Sequence, residues 1–141
     1  MPARGTAEWK GDLRSGAGTF TAGEGISGDY SFRSRFEDGP GANPEQLIAA
    51  AHASCFSMAL SNALAQNGTP VESVKTDAVV TLRPVDGVPT IATIALTVVG
   101  TVPGIDEAAF KEAAEGAKRG CPVSRALAGV PEITLDARLA S

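Results

Sequence analysis

Two cysteines and a single histidine are the residues of this 141-residue chain whose side chains are best suited to chemistry near neutral pH. Cys55 and Cys121 lie too far apart for a CxxC motif and are too few for a four-cysteine zinc site. Any dyad or triad that needs an imidazole must use His52, because the chain has no other histidine. The two cysteines are therefore either inert core thiols or one long-range redox pair.

The two thiols stand in different predicted settings. Cys55 falls in the middle of an apolar helix, where burial raises the pKa of a thiol and keeps it inert unless a cation compensates. Cys121 precedes Pro122 at a predicted helix start, where unpaired amides and the helix dipole favour a thiolate. Two further readings stay open, namely that Cys55 is a structural thiol and that Cys121 only fills an N-cap position.

A cation for Cys55 could come from the segment that leads into its helix. Glu45 precedes Cys55 by ten positions, about 15 Å along a straight helix, which is too far for contact between the two side chains. Its carboxylate could instead orient Arg35 from the preceding loop. The structural alternatives are that Glu45 is a favourable anion in the first helical turn and that Arg35 is a solvated charge at a strand end.

His52 and Cys55 are neighbours on one helical face, because they are three positions apart. Three interpretations follow: a Cys–His dyad, a transition-metal site made by His52, Cys55 and Cys121, or a histidine packed at a helix interface. The sequence supplies no clear partner to orient the imidazole for a dyad.

The elements that must position these residues belong to an α+β fold in one domain, residues 1–141. Strands are predicted over residues 6–10, 18–22 and 30–35. A helix capped by Asn43 runs to Gly68, and its apolar, uncharged interior predicts burial on nearly all sides. An antiparallel hairpin follows over residues 74–82 and 91–101, then a helix capped by Asp106, a short helix from Cys121 and a final strand over residues 132–139.

Composition excludes several functional classes. Twelve basic and 16 acidic residues give a net charge of −4, so the basic surface of a nucleic-acid-binding protein is missing. The uninterrupted apolar stretches are shorter than the roughly 20 residues that cross a bilayer. Residues 1–10 lack the apolar centre of a signal peptide, so we expect a cytoplasmic protein, in which a disulfide is more often catalytic than structural.

Five motifs in order make the sequence resemble one family. They are Phe32-x-x-Arg35-Phe36-Glu37, Asn43-Pro44-Glu45-Gln46-Leu47, the stretch from Ala50 to Leu60, Val102-Pro103-Gly104-Ile105-Asp106 and Gly120-Cys121-Pro122-Val123-Ser124. Together they resemble the OsmC/Ohr family of osmotically inducible and organic hydroperoxide resistance proteins. The stretch from Ala51 to Met58 resembles the OsmC branch.

The resemblance implies a cysteine-based peroxidase that reduces organic hydroperoxides and hydrogen peroxide in stress defence, without a cofactor or metal. It implies that Cys55 is the peroxidatic cysteine and Cys121 the resolving one, while Arg35 stabilises the thiolate and Glu45 holds Arg35. It also implies an intertwined homodimer with antiparallel sheets around central helices, and an external dithiol reductant of lipoyl type.

Three apolar residues suggest the class of substrate, and one other function stays open. Apolar walls formed by Ile48, Phe56 and Met58 would favour an alkyl hydroperoxide. The alternative function is a non-enzymatic module of the same fold that binds a small ligand or a metal.

Overall fold

A computed structural model describes all 141 residues. The chain forms two compact units, residues 1–47 and residues 48–141. The boundary between them falls inside one long helix.

The first unit contains a three-stranded antiparallel sheet in the order β1-β2-β3. Its strands are β1 (Gly5–Lys10), β2 (Ala17–Ala22) and β3 (Ile26–Tyr30). Aromatic rings pack over one side of the sheet, with the Trp9 and Tyr30 ring centroids 5.4 Å apart. The first two strands confirm the sequence prediction.

The predicted strand over residues 30–35 is wrong, because the sheet ends at Tyr30 and a short helix, α1 (Phe32–Phe36), follows. Ser31 and Ser34 form a reciprocal capping box that stabilises this turn: each side chain accepts a hydrogen bond from the backbone amide of the other. The rings of Phe32 and Phe36 stack 5.0 Å apart, which is a helical i, i+4 contact. Their aromatic character had suggested a strand, but their spacing is that of a helix.

The predicted long helix is confirmed as α2 (Pro44–Gln66). Asn43 caps it, since its Oδ1 accepts a hydrogen bond from the Gln46 amide at 2.8 Å. The chain leaves the helix through Gly68, whose φ of +90° lies in the region that favours glycine.

The second unit contains the other sheet, in the order β4-β5-β6. The strands β4 (Ser73–Val85) and β5 (Val88–Thr101) form the predicted antiparallel hairpin. Its turn is Asp86-Gly87, both with positive φ, one position earlier than predicted.

The last strand corrects the prediction of purely antiparallel sheets. β6 (Glu132–Leu139) pairs with β5 in parallel, so the second sheet is mixed. Two helices, α3 (Glu107–Gly120) and α4 (Pro122–Ala126), connect β5 to β6. A crossover of this kind returns the chain to the same end of the sheet, which makes the strands parallel.

The core of the second unit joins α2 and α3 to the sheet. Its fully buried large side chains include Phe56, Leu60 and Leu64 from α2 and Phe110 from α3. The three α2 residues recur every four positions, so they form one stripe along the helix.

The prediction that α2 is buried on nearly all sides is wrong for the single chain. Met58 is 76% exposed and Ala51, Ser54 and Asn62 are also exposed. The absence of charge predicted burial, but one chain supplies core contacts along only one stripe of the helix.

Helix α2 is the one helix whose length and composition match those of a membrane-spanning segment. Its mean hydropathy is 1.4 over an 18-residue window. One stripe of the helix packs against the core of the second unit.

Candidate active site

Cys55 lies in the middle of α2 on the margin of the core, where it is half-buried and free. It is one position before Phe56, which belongs to the buried stripe. The thiol is therefore held by a rigid helix, yet part of it stays accessible to a reactant.

Cys121 ends α3 and begins α4, and it is fully buried. Its backbone amide closes α3 on Ala117. Its sulfur accepts a hydrogen bond from the Ser124 amide at 3.3 Å, as an N-cap side chain does. Pro122 occupies the first turn of α4, as the sequence predicted.

Cys55 and Cys121 are brought together although they are far apart in sequence. Cys55 packs against the core cluster that contains Cys121. Each thiol also affects the pKa of the other. Both are free thiols.

Hydrogen bonds make Cys121 the more acidic thiol of the pair. Burial by itself raises the pKa of Cys121, but hydrogen bonds from the Ser124 side chain, the Ser124 amide, Cys55 and the Val123 amide together outweigh it. The resulting pKa lies below the ordinary value of a thiol.

The pKa of Cys55 is shifted in the opposite direction. Burial raises it, the Val123 backbone lowers it, and the hydrogen bond and charge of Cys121 raise it again. The net pKa is above the ordinary value. Cys55 thus needs an additional cation or donor to become a thiolate at neutral pH.

Arg35 and Glu45 form an ion pair within the first unit. The Arg35 Nε donates a hydrogen bond to Glu45 Oε1 at 2.8 Å. The Glu45 side chain is 8% exposed and that of Arg35 is 36% exposed, so the carboxylate is the fixed partner. Glu45 Oε2 is buried without a hydrogen-bond partner.

His52 is fully buried and contacts a residue that the sequence did not suggest. Its Nε2 lies 2.6 Å from Ser124 Oγ, and its Nδ1 has no hydrogen-bond partner. Burial lowers the pKa of His52, which keeps the imidazole neutral at pH 7. This geometry agrees with the packed histidine among the three interpretations, and no three candidate ligands converge into a metal-binding group.

The three predicted pocket residues differ widely in exposure. Ile48 is half-buried, Phe56 lies in the core and Met58 is exposed. The assignment of these three residues to a substrate pocket stays a prediction.

Two cavities lie elsewhere on the units. A cavity of about 810 Å³ between α2 and α3 includes the polar residues Asn62, Glu112 and Arg119, and neither cysteine lines it. The first unit carries a cavity of about 430 Å³ beside Arg35, with a wall of Trp9, Leu13, Tyr30, Phe32 and Phe36. The second cavity suits an apolar group better, because its lining is mostly aromatic and aliphatic.

The sequence reasoning missed Ser124 and the aromatic cavity beside Arg35. The signal for Ser124 was its position three residues after the cap residue Cys121, where the amide meets the cap side chain. The signal for the cavity was the motif Phe32-x-x-Arg35-Phe36, whose two rings flank the arginine along the helix.

The fold defines an α+β protein that carries two free thiols on one core cluster. The family model described as OsmC-like protein matches residues 37–136. The chain is 46% identical to Peroxiredoxin OsmC of Escherichia coli (strain K12) over 140 residues, which cover 98% of this chain and 96% of the relative. The same figures hold for Peroxiredoxin OsmC of Shigella flexneri.

Solved structures share the fold along the whole chain. The organic hydroperoxide resistance protein OhrB of Bacillus subtilis is 25% identical with a TM-score of 0.76, covering 99% of this chain and 98% of its own. An OsmC-like protein of Mycoplasma pneumoniae has a TM-score of 0.76 at 17% identity, covering 100% of this chain and 99% of its own. The chain belongs to the OsmC family, as its motifs predicted.

Proposed function

We propose that this protein is a cysteine-based peroxidase that reduces organic hydroperoxides, and also hydrogen peroxide, in stress defence. The observation that carries the proposal is the packing of Cys55 against the core cluster that contains Cys121, which places two free thiols far apart in sequence on one cluster. The names of the relatives, a peroxiredoxin and an organic hydroperoxide resistance protein, support it.

In the first step the Cys55 thiolate attacks one oxygen of the hydroperoxide. The O–O bond breaks, the leaving alkoxide takes a proton and departs as an alcohol, and Cys55 is oxidised to a sulfenic acid. Cys55 suits this role because it is the more accessible thiol of the pair.

Arg35 supplies the cation that Cys55 requires, and Glu45 orients Arg35. Burial and Cys121 both raise the pKa of Cys55, so a guanidinium near its sulfur would favour the thiolate. The approach of Arg35 to Cys55 belongs to the proposal, and the 2.8 Å Arg35–Glu45 ion pair supports it.

In the second step the Cys121 thiolate attacks the sulfur of the Cys55 sulfenic acid. The S–S bond forms, the S–O bond breaks, and the hydroxide leaves as water with the proton given up by Cys121. An external dithiol then reduces the disulfide and is itself oxidised, and a lipoyl-type dithiol is the candidate. The need for a reductant favours the cytoplasm as the site of action.

The test is to add one equivalent of cumene hydroperoxide to the reduced protein. We expect a Cys55–Cys121 disulfide by mass spectrometry within seconds, and dithiol-dependent turnover that Cys55→Ser abolishes. Cys121→Ser should react once and then accumulate a sulfenic or over-oxidised Cys55. Full turnover of Cys55→Ser would refute the mechanism.

The same proposal includes a homodimer. Along the exposed face of α2, Met58 offers an apolar side chain to solvent, and Val79 of β4 is 62% exposed. A second copy that covered such apolar surface would remove it from water.

A further inference from the structure

His52 is a buried titratable group that the proposed peroxidase cycle does not use. It is fully buried in an apolar core, with one ring nitrogen bonded to Ser124 and the other unpaired. Leaving a buried polar atom without a partner costs stability, so such an atom calls for an explanation.

Ser124 connects this histidine to Cys121. Its backbone amide donates a hydrogen bond to the Cys121 sulfur at 3.3 Å. Its side chain also lowers the pKa of Cys121. Its hydroxyl lies 2.6 Å from His52 Nε2. One serine therefore touches the histidine on one side and the predicted resolving cysteine on the other.

The tautomer of His52 decides where the single hydroxyl proton of Ser124 points. If Nε2 carries the ring proton, it donates to Ser124 Oγ and leaves the hydroxyl free to donate to Cys121. If Nδ1 carries it, the Ser124 hydroxyl donates to Nε2, and an N–H is buried without an acceptor. The first tautomer leaves only an unpaired lone pair at Nδ1, and it leaves the hydroxyl proton of Ser124 free for another acceptor.

We propose that His52 is a positioning residue for the resolving step: its hydrogen bond to the Ser124 hydroxyl holds Ser124 in the place where the Ser124 amide donates to the Cys121 sulfur. The inference rests on the proposed role of Cys121 in the peroxidase cycle. A donor held in this way stabilises the Cys121 thiolate, which is the form that attacks the Cys55 sulfenic acid.

Few other ionisable groups can act on Cys121. Cys55 is the other titratable side chain that contributes to its pKa, and the charged neighbours in sequence, Arg119 and Arg125, are exposed. Burial is the cause of the lowered pKa of His52, with no charged group contributing. A change at His52 should therefore reach Cys121 through Ser124.

The first measurement is the thiolate absorbance of Cys121 at 240 nm against pH, in the full chain with Cys55→Ala. We expect Ser124→Ala and His52→Leu to raise the pKa of Cys121 by about one unit, hence a roughly tenfold smaller thiolate fraction at neutral pH. His52→Gln should keep the wild-type titration, because its amide nitrogen takes the place of Nε2 as a donor.

The second measurement follows the cycle with both cysteines present. After one equivalent of cumene hydroperoxide, Ser124→Ala and His52→Leu should slow disulfide formation about tenfold, in proportion to the lost thiolate. The sulfenic acid should become trappable, while oxidation of Cys55 proceeds at the wild-type rate. Ser57→Ala is the matched control, because it removes a hydrogen-bonded serine hydroxyl on α2, paired with Thr76 at 2.8 Å, and should change neither rate.

An unchanged Cys121 titration in Ser124→Ala would overturn the inference, even if His52→Leu failed to fold. A wild-type Cys121 titration in His52→Leu would also overturn it. So would a raised Cys121 pKa in His52→Gln. Failure of the proposed function is distinguishable, since the wild type would then form no disulfide with hydroperoxide, whereas the titration of Cys121 in Cys55→Ala needs no turnover.

Discussion

The two cysteines are chemically unequal because their hydrogen-bond partners differ. Cys121 receives donors from Ser124 and Val123, which together outweigh the effect of burial on its pKa. Cys55 has one backbone donor and a thiol neighbour, and its pKa is raised. A thiolate at Cys55 near neutral pH therefore needs a further donor or cation, and the proposed source is Arg35, which Glu45 holds in an ion pair.

Arg35→Met should lower kcat/KM for an organic hydroperoxide by about 100-fold, because it removes the charge that stabilises the thiolate and the transition state. Glu45→Gln should lower it about tenfold, since it weakens a charge-assisted hydrogen bond that orients Arg35. Steady-state kinetics with a dithiol reductant measure both effects.

Arg33→Met is the control for these two variants. Arg33 is exposed and pairs with Glu37 at 3.7 Å on the surface of α1. Its loss should leave kcat/KM within about twofold, because exposed ion pairs contribute little. An equal loss of activity in Arg33→Met and Arg35→Met would contradict a specific role for Arg35.

His52 should make the free energy of unfolding depend on pH. Its ordinary pKa is 6.5 and burial lowers the pKa in the folded chain, so between the two values the unfolded chain binds more protons. Stability is therefore fully present above about pH 6.5 and falls as the pH decreases toward the folded pKa, by up to about 1.4 kcal/mol per pH unit.

Denaturant unfolding from pH 7.5 to 4.5 measures this slope. His52→Gln has no titrating group at the position, so its stability should fall less steeply than that of the wild type in this range. Parallel curves for the two proteins would show that His52 does not titrate on unfolding.

At the scale of elements, capping side chains define where helices begin. Asp106 caps α3 by accepting a hydrogen bond from the Ala109 amide at 2.8 Å, as the sequence predicted. Ser31 does the same for α1, and there the prediction of a strand was wrong because the aromatic residues were given more weight than the cap. The local hydrogen bonds of the cap thus determine that this segment is a short helix and not a strand.

The packing of β5 against α3 leaves no room for a side chain at Gly100. A Cβ at this position would lie 2.5 Å from two ring atoms of Phe110, which is fully buried. Gly100→Ala should lower the free energy of unfolding by about 1–3 kcal/mol, as overpacking of a core does. Thermal or denaturant unfolding would measure the loss.

Two variants make this packing prediction specific. Gly129→Ala should change stability by less than about 0.5 kcal/mol, because a Cβ at this position would meet no atom within 4 Å beyond its chain neighbours. In a Phe110→Leu background the cost of Gly100→Ala should shrink, since the ring that clashes is gone. An unchanged cost in that background would mean that the strain arises elsewhere.

At the scale of the whole molecule, the exposed face of α2 is the feature that a single chain leaves unexplained. The helix carries no charge between Leu47 and Leu64, yet Met58 is 76% exposed. Exposing apolar surface to water costs free energy, and the proposed homodimer would cover that surface with a second copy.

Met58→Lys should weaken the dimer, because it places a charge on the apolar face that association would bury. Sedimentation velocity should show the wild type at about twice the mass of one chain and the variant shifted toward the monomer. The control Lys111→Met removes an exposed charge on α3, on neither α2 nor β4, and should leave the mass unchanged. A monomeric wild type at micromolar concentration would refute the homodimer.

The sequence by itself determined the long helix, the hairpin and the start of α3, because caps, turns and periodicity are local signals. The family resemblance of its motifs singled out Cys55, Cys121, Arg35 and Glu45, and the structure shows the ion pair between Arg35 and Glu45. Local rules therefore predicted most of the element boundaries, whereas the choice of reactive residues came from the motifs.

Only the tertiary structure decided which distant groups meet. It brought Ser124 between His52 and Cys121, and it made β6 parallel to β5. It also left one face of α2 exposed, where composition had predicted burial. These features depend on long-range packing, because a residue's own sequence neighbourhood does not specify which surface another part of the chain will cover.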